Sequence, residues 1–555
     1  MKYFLILCIA VAVSILVIPI MMRLAPVLGM IDHPDERRVH AKPIPRVGGW
    51  GIVLGMLVPM LIWLPMKPMV LCYLFGVLTL LLFGSLDDRH HLSPGIKFAG
   101  QLLAVLPAAL WGGMQITNLP LLGDYLQLPS IIAIPFAVFA VVGMTNALNT
   151  SDGLDGLAGG EALLSLGAIG LLAYLDDEGV ISIMAVAMVG GILGFLRYNT
   201  NPAVVFMGDN GSQVIGFTLG FLVVMLTQNP DTAIYPGAAL LLLGLPIADL
   251  LVVMVKRRRR GASMFEPSKE HFHHLILELG FSQRGSVGIM YLLQTLFVFV
   301  GGMLAYTNDV VILVAYAVLC IGLVKVLERI HESGWRKVGS LRDTFPGQFG
   351  EGRRATDLAS STPGVLVWLP RRLIEFGVPV YLVVASLAFE VVPRDMGILL
   401  ALVCSIMLLE LIYGSTTHSL LHRTMLYMVA ASVVFLQVTY PPVMGVWARA
   451  ADVGFFILLA VGLVTAMIYS PRRRRVEFFT TTMDYLLVFA GISLLILSQT
   501  PLGSYANIAL LFYLGILFYG CEFINVEKRE RWNELAIGSL VSAAILAVKG
   551  LFITG

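Results

Sequence analysis

Asn146-Ala147-Leu148-Asn149-Thr150-Ser151-Asp152-Gly153-Leu154-Asp155-Gly156-Leu157 is the stretch on which the reading of this chain turns. An apolar run from Ile131 to Val142 leads into it, and another begins near Ala162. Asn146, Asn149, Asp152 and Asp155 recur at every third residue. On an α-helix each step of three falls short of a full turn by about 60°, so the four cover one broad face. Gly153 and Gly156 loosen the last turn. Oxygen ligands at the mouth of an apolar helix suit a hard cation that carries phosphate. The plainer reading is a helix end capped by Asn and Asp before a glycine turn. The stretch alone does not choose between them.

Composition sets the class. The 555 residues are 58% hydrophobic and 13% charged, whereas an average soluble domain is about 25% charged. This is an all-α polytopic membrane protein rather than a soluble domain with an anchor. A net charge of +2 gives no reason to expect a nucleic-acid partner. Cys8, Cys72, Cys320, Cys404 and Cys521 lie in apolar runs without metal-ligand or disulfide spacing, and read as small buried hydrophobes. The apolar run to Met22 lacks a small-residue cleavage site and reads as a first transmembrane helix, not a signal peptide.

Eleven apolar segments fall near 2–22, 48–66, 69–86, 98–114, 129–148, 160–175, 181–197, 204–227, 233–255, 286–305 and 309–327. Seven more fall near 375–391, 396–413, 424–440, 452–469, 484–499, 504–524 and 535–553. Each approaches the length of about 20 residues that a spanning helix needs. The domain reading is therefore 1–327, a hydrophilic cytoplasmic linker 328–374, and a C-terminal transmembrane block 375–555. Part of the linker is expected to be disordered, and Trp368–Leu373 to lie at the membrane interface. Alternate loops are basic, notably Lys256–Arg260, which places them in the cytoplasm and the N-terminus outside.

The unusual polar clusters of the first block all map to the cytoplasmic side. The first loop contains Asp32, Arg37, Arg38, His40, Lys42 and Pro43-Ile44-Pro45-Arg46-Val47-Gly48-Gly49. It reads as an anion site, or as a loop whose charges only set orientation. Asp87-Asp88 follows an apolar segment, with Lys97 near enough in sequence to compensate one carboxylate. An exposed acidic turn is the alternative. Asp209 stands between glycines in Phe206-Met207-Gly208-Asp209-Asn210-Gly211-Ser212, inside an apolar run where an acid without a ligand is hard to explain. The last loop joins Lys256-Arg257-Arg258-Arg259-Arg260 to His271-Phe272-His273-His274. Its imidazoles have no fourth zinc ligand, and cations beside oxygen ligands suggest a diphosphate clamp.

These motifs, in this order, resemble the polyprenyl-phosphate N-acetylhexosamine-1-phosphate transferase family over residues 1 to about 330. The His271-Phe272-His273-His274 arrangement resembles its undecaprenyl-phosphate N-acetylglucosamine-1-phosphate branch. The branch that loads a muramoyl-pentapeptide usually carries three adjacent histidines, and Phe272 interrupts that run. The resemblance implies transfer of an N-acetylhexosamine 1-phosphate from a UDP-sugar to undecaprenyl phosphate, with release of UMP, at the start of O-antigen, teichoic-acid or related glycan assembly. It implies Mg²⁺, or Mn²⁺ in its place, with Asn149 and Asp209 as ligands. Asp87, Asp88, Asp152 and Asp155 would form the catalytic acidic set. Lys97, Asn146, Arg258, Arg260, His271, His273 and His274 would meet substrate. It further implies the bacterial inner membrane, an active site on the cytoplasmic face, and the bilayer, a second copy and later glycan-assembly enzymes as partners. A pentapeptide-transferase-like activity and a membrane transporter are the alternatives; a transporter should carry its acids near the midplane in paired halves. The C-terminal block has no motif that extends the resemblance. Glu390 and Glu522 read as helix-end acids, His418 and His422 as solvated, and Glu410 as the one acid there to watch.

Overall fold

The computed structural model describes residues 1–33, 43–122, 126–261, 270–333, 364–413, 420–441, 446–469, 508–527 and 533–553. It is almost wholly helical, with one two-stranded ribbon among the described residues. Ten described helices are long and apolar enough to cross a membrane, and shorter apolar helices accompany them. The all-helical membrane class read from composition is the class observed.

The chain forms two compact units. The first holds the described residues from Ile6 to Ser333. Its elements are α1 (Lys2–Leu28), β1 (Ile31–Asp32), β2 (Ile44–Pro45), α2 (Gly48–Trp63), α3 (Pro68–His90), α4 (Pro94–Leu110), α5 (Ser130–Ser151), α6 (Leu157–Leu175), α7 (Gly179–Asn199), α8 (Asp209–Thr227), α9 (Ala238–Arg260), α10 (Phe272–Glu278), α11 (Gln283–Leu304) and α12 (Asp309–Glu332). Each of the first eleven apolar segments corresponds to one helix, with α2 and α4 the shorter ones, and α10 is a short addition. Pro68 and Pro94 stand in the first turns of α3 and α4, where a missing N–H costs nothing.

Helix α8 is the axis of this unit. Every residue from Asn210 to Val224 is buried, which is why the helix is apolar on nearly all sides beyond its first turn. It packs on α3 and α5. Tyr73 of α3 bonds Thr218 of α8 at 2.9 Å and lies against the Phe217 and Phe221 rings. At the other end of the same contact the two backbones nearly touch: a Cβ on Gly84 would stand 2.5 Å from Asn210 Cα and 2.6 Å from Asn210 N.

Helix α9 breaks at Gly244, where φ is 36°. Pro246 follows the break, and a Cβ at Gly244 would stand 2.6 Å from Phe297 Cβ. The N–H of Leu245, freed by the break, donates to Gln294 Oε1 at 2.8 Å, and Gln294 Nε2 donates to Ser165 Oγ at 2.7 Å. A buried donor is thus satisfied across three helices.

The second unit contains the described residues from Gly364 onward, with Met1–Leu5. Its helices are α13 (Gly364–Ala388), α14 (Arg394–Tyr413), α15 (Leu420–Thr439), α16 (Val446–Tyr469), α17 (Ile508–Glu527) and α18 (Glu534–Val548), the last ending in a π turn, Lys549–Ile553. The segment expected near 484–499 lies outside the described residues, as do His418 and residues 334–363, where disorder was expected. α12 runs on to Glu332, and α13 starts at Gly364, ahead of the apolar run from 375, so Trp368–Leu373 lies inside that helix. Glu375 explains the extension, because Arg371 and Arg372 one turn before it pair with its buried carboxylate at 3.0 and 3.4 Å.

Glu390 is exposed at a helix end, as expected. Glu522 is not a bare helix-end acid: it accepts from Arg423 at 3.2 Å and from the Tyr427 hydroxyl. His422 is likewise not simply solvated, since its Nδ1 lies 3.1 Å from Glu410. All five cysteines are free thiols.

The α3–α8 contact yields a first expectation. Gly84→Ala forces two backbones apart and should lower the thermal stability of the detergent-solubilised chain by about 1–3 kcal/mol, whereas Gly143→Ala, with nothing within 4 Å, should leave the melting midpoint nearly unchanged.

Candidate active site

Four loops of the first unit meet at the N-terminus of α8. The α8 terminus exposes backbone N–H groups and the positive end of its dipole. Asp88, at the end of α3, takes them up. Its carboxylate accepts from the N–H groups of Asp209 and Asn210, each at 3.1 Å, and from Asn210 Nδ2 at 2.6 Å. Gly208 permits this approach: its φ is 72°, and a Cβ there would stand 2.6 Å from Asp88 Oδ2.

The neighbouring acid points elsewhere. Asp87 pairs with Lys97 of α4 and accepts from Leu92 N at 2.7 Å. Lys97 also reaches Asp209 Oδ2 at 3.2 Å. One ammonium therefore links the end of α3 to the start of α8. Asn149, near the end of α5, accepts from Ser212 Oγ of α8 at 2.6 Å. Asn149 and Asp209 are brought to the same helix terminus from segments 60 residues apart.

The first loop closes the other side. β1 pairs with β2, and Phe206 N donates to Pro45 O at 2.8 Å. Gly48 N and Gly49 N then donate to Phe206 O and Met207 O. This lattice carries Arg46 to Asp32 at 2.5 Å and to Asp88 at 3.8 Å. The Pro43–Gly49 motif is thus a brace between the first loop and the 206–208 segment, with Arg46 as its charged contribution. Arg37, Arg38, His40 and Lys42 lie outside the described residues.

The polar repeat at 146–155 does not stay on one helical face. α5 ends at Ser151, so Asp152 and Asp155 belong to the following turn. Asn146 sits between helices: it donates to Gln101 Oε1 at 2.9 Å and Val142 O at 2.8 Å, and Gln101 also reaches Gln213 of α8. Its amide ties α4 to α5, and through Gln101 to α8. Asp155 accepts from Asn201 Nδ2 at 2.8 Å and Ala203 N at 3.0 Å, which fastens its loop to the one before α8. Asp152 has no such role. Burial, and then the charges of Asp88 and Asp155, push its carboxyl up to about 7, against the opposing pull of Arg46.

Asp87, Asp88, Asp152 and Asp209, with Asp32 and Asp155 at the edge, face two cations, Arg46 and Lys97. Such an excess of negative charge away from water is costly unless a further cation or a proton compensates it. The donors are all oxygen, the preference of a hard divalent ion. Among the described residues no three His, Cys, Asp or Glu side chains yet surround one metal position. The donor chemistry and charge fit such an ion, and binding would have to draw carboxylates away from Lys97.

The histidine loop lies over the same turn. His273, in α10, is 1% exposed, and its ring nitrogens have no hydrogen-bond partner among the described residues. It packs on Gly153 so closely that a Cβ there would be 2.5 Å from its Nε2. His271 stacks on it at 5.8 Å, and His274 lies 4.2 Å away on its other side. Burial, and then these two rings, lower the His273 pKa to about 3. Arg258 is exposed at the end of α9, whereas Arg260 pairs with Glu270 and lines a separate cavity of about 260 Å³ with Phe272 and Glu328. Arg46, Asn210, Ser212 and Gln101 belong to this constellation but were not singled out in the sequence. Arg46 was legible as part of the Pro43–Gly49 motif; the amides and hydroxyl carry no local signal.

An acidic cluster braced at a helix terminus, on a bundle of apolar helices, is the candidate catalytic centre of a multi-pass membrane protein. Residues 70–227 match Glycosyl transferase family 4. The chain is 32% identical over 285 residues to the probable undecaprenyl-phosphate N-acetylglucosaminyl 1-phosphate transferase of Bacillus subtilis (strain 168), covering 51% of this chain and 79% of that protein. It is 31% identical over 293 residues to the undecaprenyl-phosphate alpha-N-acetylglucosaminyl 1-phosphate transferase of Escherichia coli (strain K12), covering 52% and 80%. The protein of that name from Yersinia pestis is 32% identical over 279 residues, covering 49% and 76%. The chain belongs to this family of sugar-phosphate transferases, in its undecaprenyl-phosphate N-acetylglucosaminyl 1-phosphate transferase branch.

The buried His273 gives a pH expectation. Its folded pKa lies below the unfolded value of about 6.5, so the unfolded chain binds one more proton between these values. Stability from this group is present above pH 6.5 and is lost as pH falls toward 3. Lowering the pH from 6.5 to 5 should therefore cost the native chain about 2 kcal/mol that His273→Gln does not lose, read as a smaller acid-side drop in melting midpoint.

Proposed function

We propose that this chain transfers N-acetylglucosamine 1-phosphate from UDP-N-acetylglucosamine to undecaprenyl phosphate, releasing UMP, on the cytoplasmic face of a bacterial inner membrane. The product would be the first lipid-linked sugar of a cell-envelope glycan. The observation that carries the reading is the meeting of Asp87, Asp88, Asn149, Asp152, Asp209 and Lys97 at one helix terminus. The family and the names of its relatives supply the sugar and the lipid acceptor. The clustering of acids at one end of the bundle, rather than along a midplane path, disfavours a transporter.

Asp209 and Asn149, with Asp152 beside them, would hold Mg²⁺. When bound, the ion supplies charge neutralisation for the diphosphate and for the leaving UMP. In the transfer, an oxygen of the lipid phosphate forms a bond to the sugar-linked phosphorus. The bond from that phosphorus to the bridging oxygen breaks, and the electron pair leaves with UMP. The second pKa of a phosphate monoester is about 6, so the acceptor is already largely ionised and needs no strong base. Lys97, shared between Asp87 and Asp209 in the resting site, would contact the acceptor phosphate. Asp88 and Arg46 hold the α8 terminus in place. Asp155 and Asn146 maintain the surrounding helices and turn. The histidine loop covers the sugar-nucleotide side, and His273 contributes as a neutral ring.

The test is UMP release by the purified full-length chain with a panel of UDP-sugars and undecaprenyl phosphate, with and without Mg²⁺. UDP-N-acetylglucosamine should be the preferred donor, and chelation should stop turnover. Asp209→Asn should lower kcat/KM by about 10³-fold, the loss of roughly 4 kcal/mol of charge stabilisation. Turnover retained by that variant, or release of UMP without a metal, would reject the site as drawn.

A further inference from the structure

One buried acid of the first unit takes no part in the cluster just described. Asp249 lies in α9, beyond the break at Gly244, and is 2% exposed. A carboxylate in a spanning helix is expensive unless it is paired. Both of its oxygens are engaged, and both by the histidine loop. Oδ2 lies 2.7 Å from His271 Nδ1, and Oδ1 accepts from the backbone N–H of Phe272 at 2.8 Å. Phe272 is the first residue of α10, so the second bond also caps that short helix from outside.

An ionised carboxylate only accepts, so it binds the imidazole through a ring N–H. The contact therefore fixes the proton of His271 on Nδ1, and it leaves Nε2 as the nitrogen available to a ligand. The orientation is passed on. His271 and His273 are stacked with 11° between their planes, and His273 abuts Gly153, next to Asp152. Glu161 of α6, a second buried acid near Asp249, is 1% exposed, with both carboxylate oxygens lacking a hydrogen-bond partner among the described residues. An unpaired acid beside Asp249 cannot replace it as an acceptor for the loop unless the loop moves.

We infer that Asp249 is the positioning residue of the histidine loop: it sets the tautomer and direction of His271 and anchors the start of α10, so that the loop meets the sugar-nucleotide diphosphate in a fixed geometry. This rests on the proposed transferase reaction for its kinetic consequence, and on geometry alone for the tautomer. Asn at this position keeps the shape, but with its oxygen on the Phe272 N–H its N–H₂ faces His271 Nδ1, so either the ring switches to the Nε2–H tautomer or that bond is lost.

The experiment is a double-mutant cycle on the full-length chain, joined to ¹⁵N-histidine NMR of the same preparations. Asp249→Asn should lower kcat/KM for the UDP-sugar by about 10–100-fold, the range for a group that orients a ligand-contacting histidine. In a His271→Ala background the same change should cost less than about 2-fold, because its target is gone. An equal fold-loss in both backgrounds would show that Asp249 acts through general structure, and would overturn the inference. Long-range ¹H–¹⁵N spectra, with His271 assigned by its absence from His271→Ala, should give the Nδ1–H form in the native chain. Finding the Nε2–H form there would overturn the inference without any variant having to fold. The spectra need no turnover, so an inactive native chain would reject the proposed reaction while leaving the Asp249–His271 arrangement to be judged separately.

Discussion

The capping of α8 by Asp88 is the constraint on which the site depends. A helix terminus buried in a membrane bundle cannot leave its N–H groups unpaired, and water cannot reach them freely. Asp88 satisfies two of them and the Asn210 amide from a different helix. Because the cap comes from α3, the end of α3 and the start of α8 must coincide, and this sets Asp87 beside Lys97 and Asp209. Gly84 and Gly208 are the clearances that let the two helices come so close. A side chain marked by its acidity as catalytic thus does its first work in holding the others in place.

The cap has an electrostatic consequence. Bringing the acids together creates more negative charge than Arg46 and Lys97 neutralise, and Asp152 responds by holding its proton to about pH 7. The resting site is a compromise in which Lys97 serves two carboxylates at once. A divalent ion would relieve that arrangement and free the lysine for the acceptor phosphate. The same buried excess is met from another segment of the chain by Arg46, which reaches Asp32 and Asp88.

Much of this was legible in the sequence. Continuous apolar runs of about 20 residues located the long helices of the described residues, because a helix satisfies its whole backbone within one segment. Acids and amides interrupting apolar runs at 87–88, 149–152 and 209 marked the loops that converge. The spacing by threes from Asn146 assumes a continuous helix, whereas α5 stops at Ser151, so the partners of the repeat diverge: Asn146 meets Gln101, and Asp155 fastens its turn to Asn201 and Ala203. Asp249 was overlooked inside an apolar segment, where its isolation was itself the signal. Pairings such as Glu522 with Arg423, 99 residues apart, leave no local trace at all.

The account therefore rests on a divalent ion completing the charge balance at the α8 terminus. Mn²⁺ binding to the purified full-length chain, followed by electron paramagnetic resonance, addresses this without reference to turnover. One tightly bound ion per chain is expected, displaced by Mg²⁺ and lost on replacing Asp209 by Asn. No bound ion in the native chain, or one unaffected by that replacement, would contradict the account.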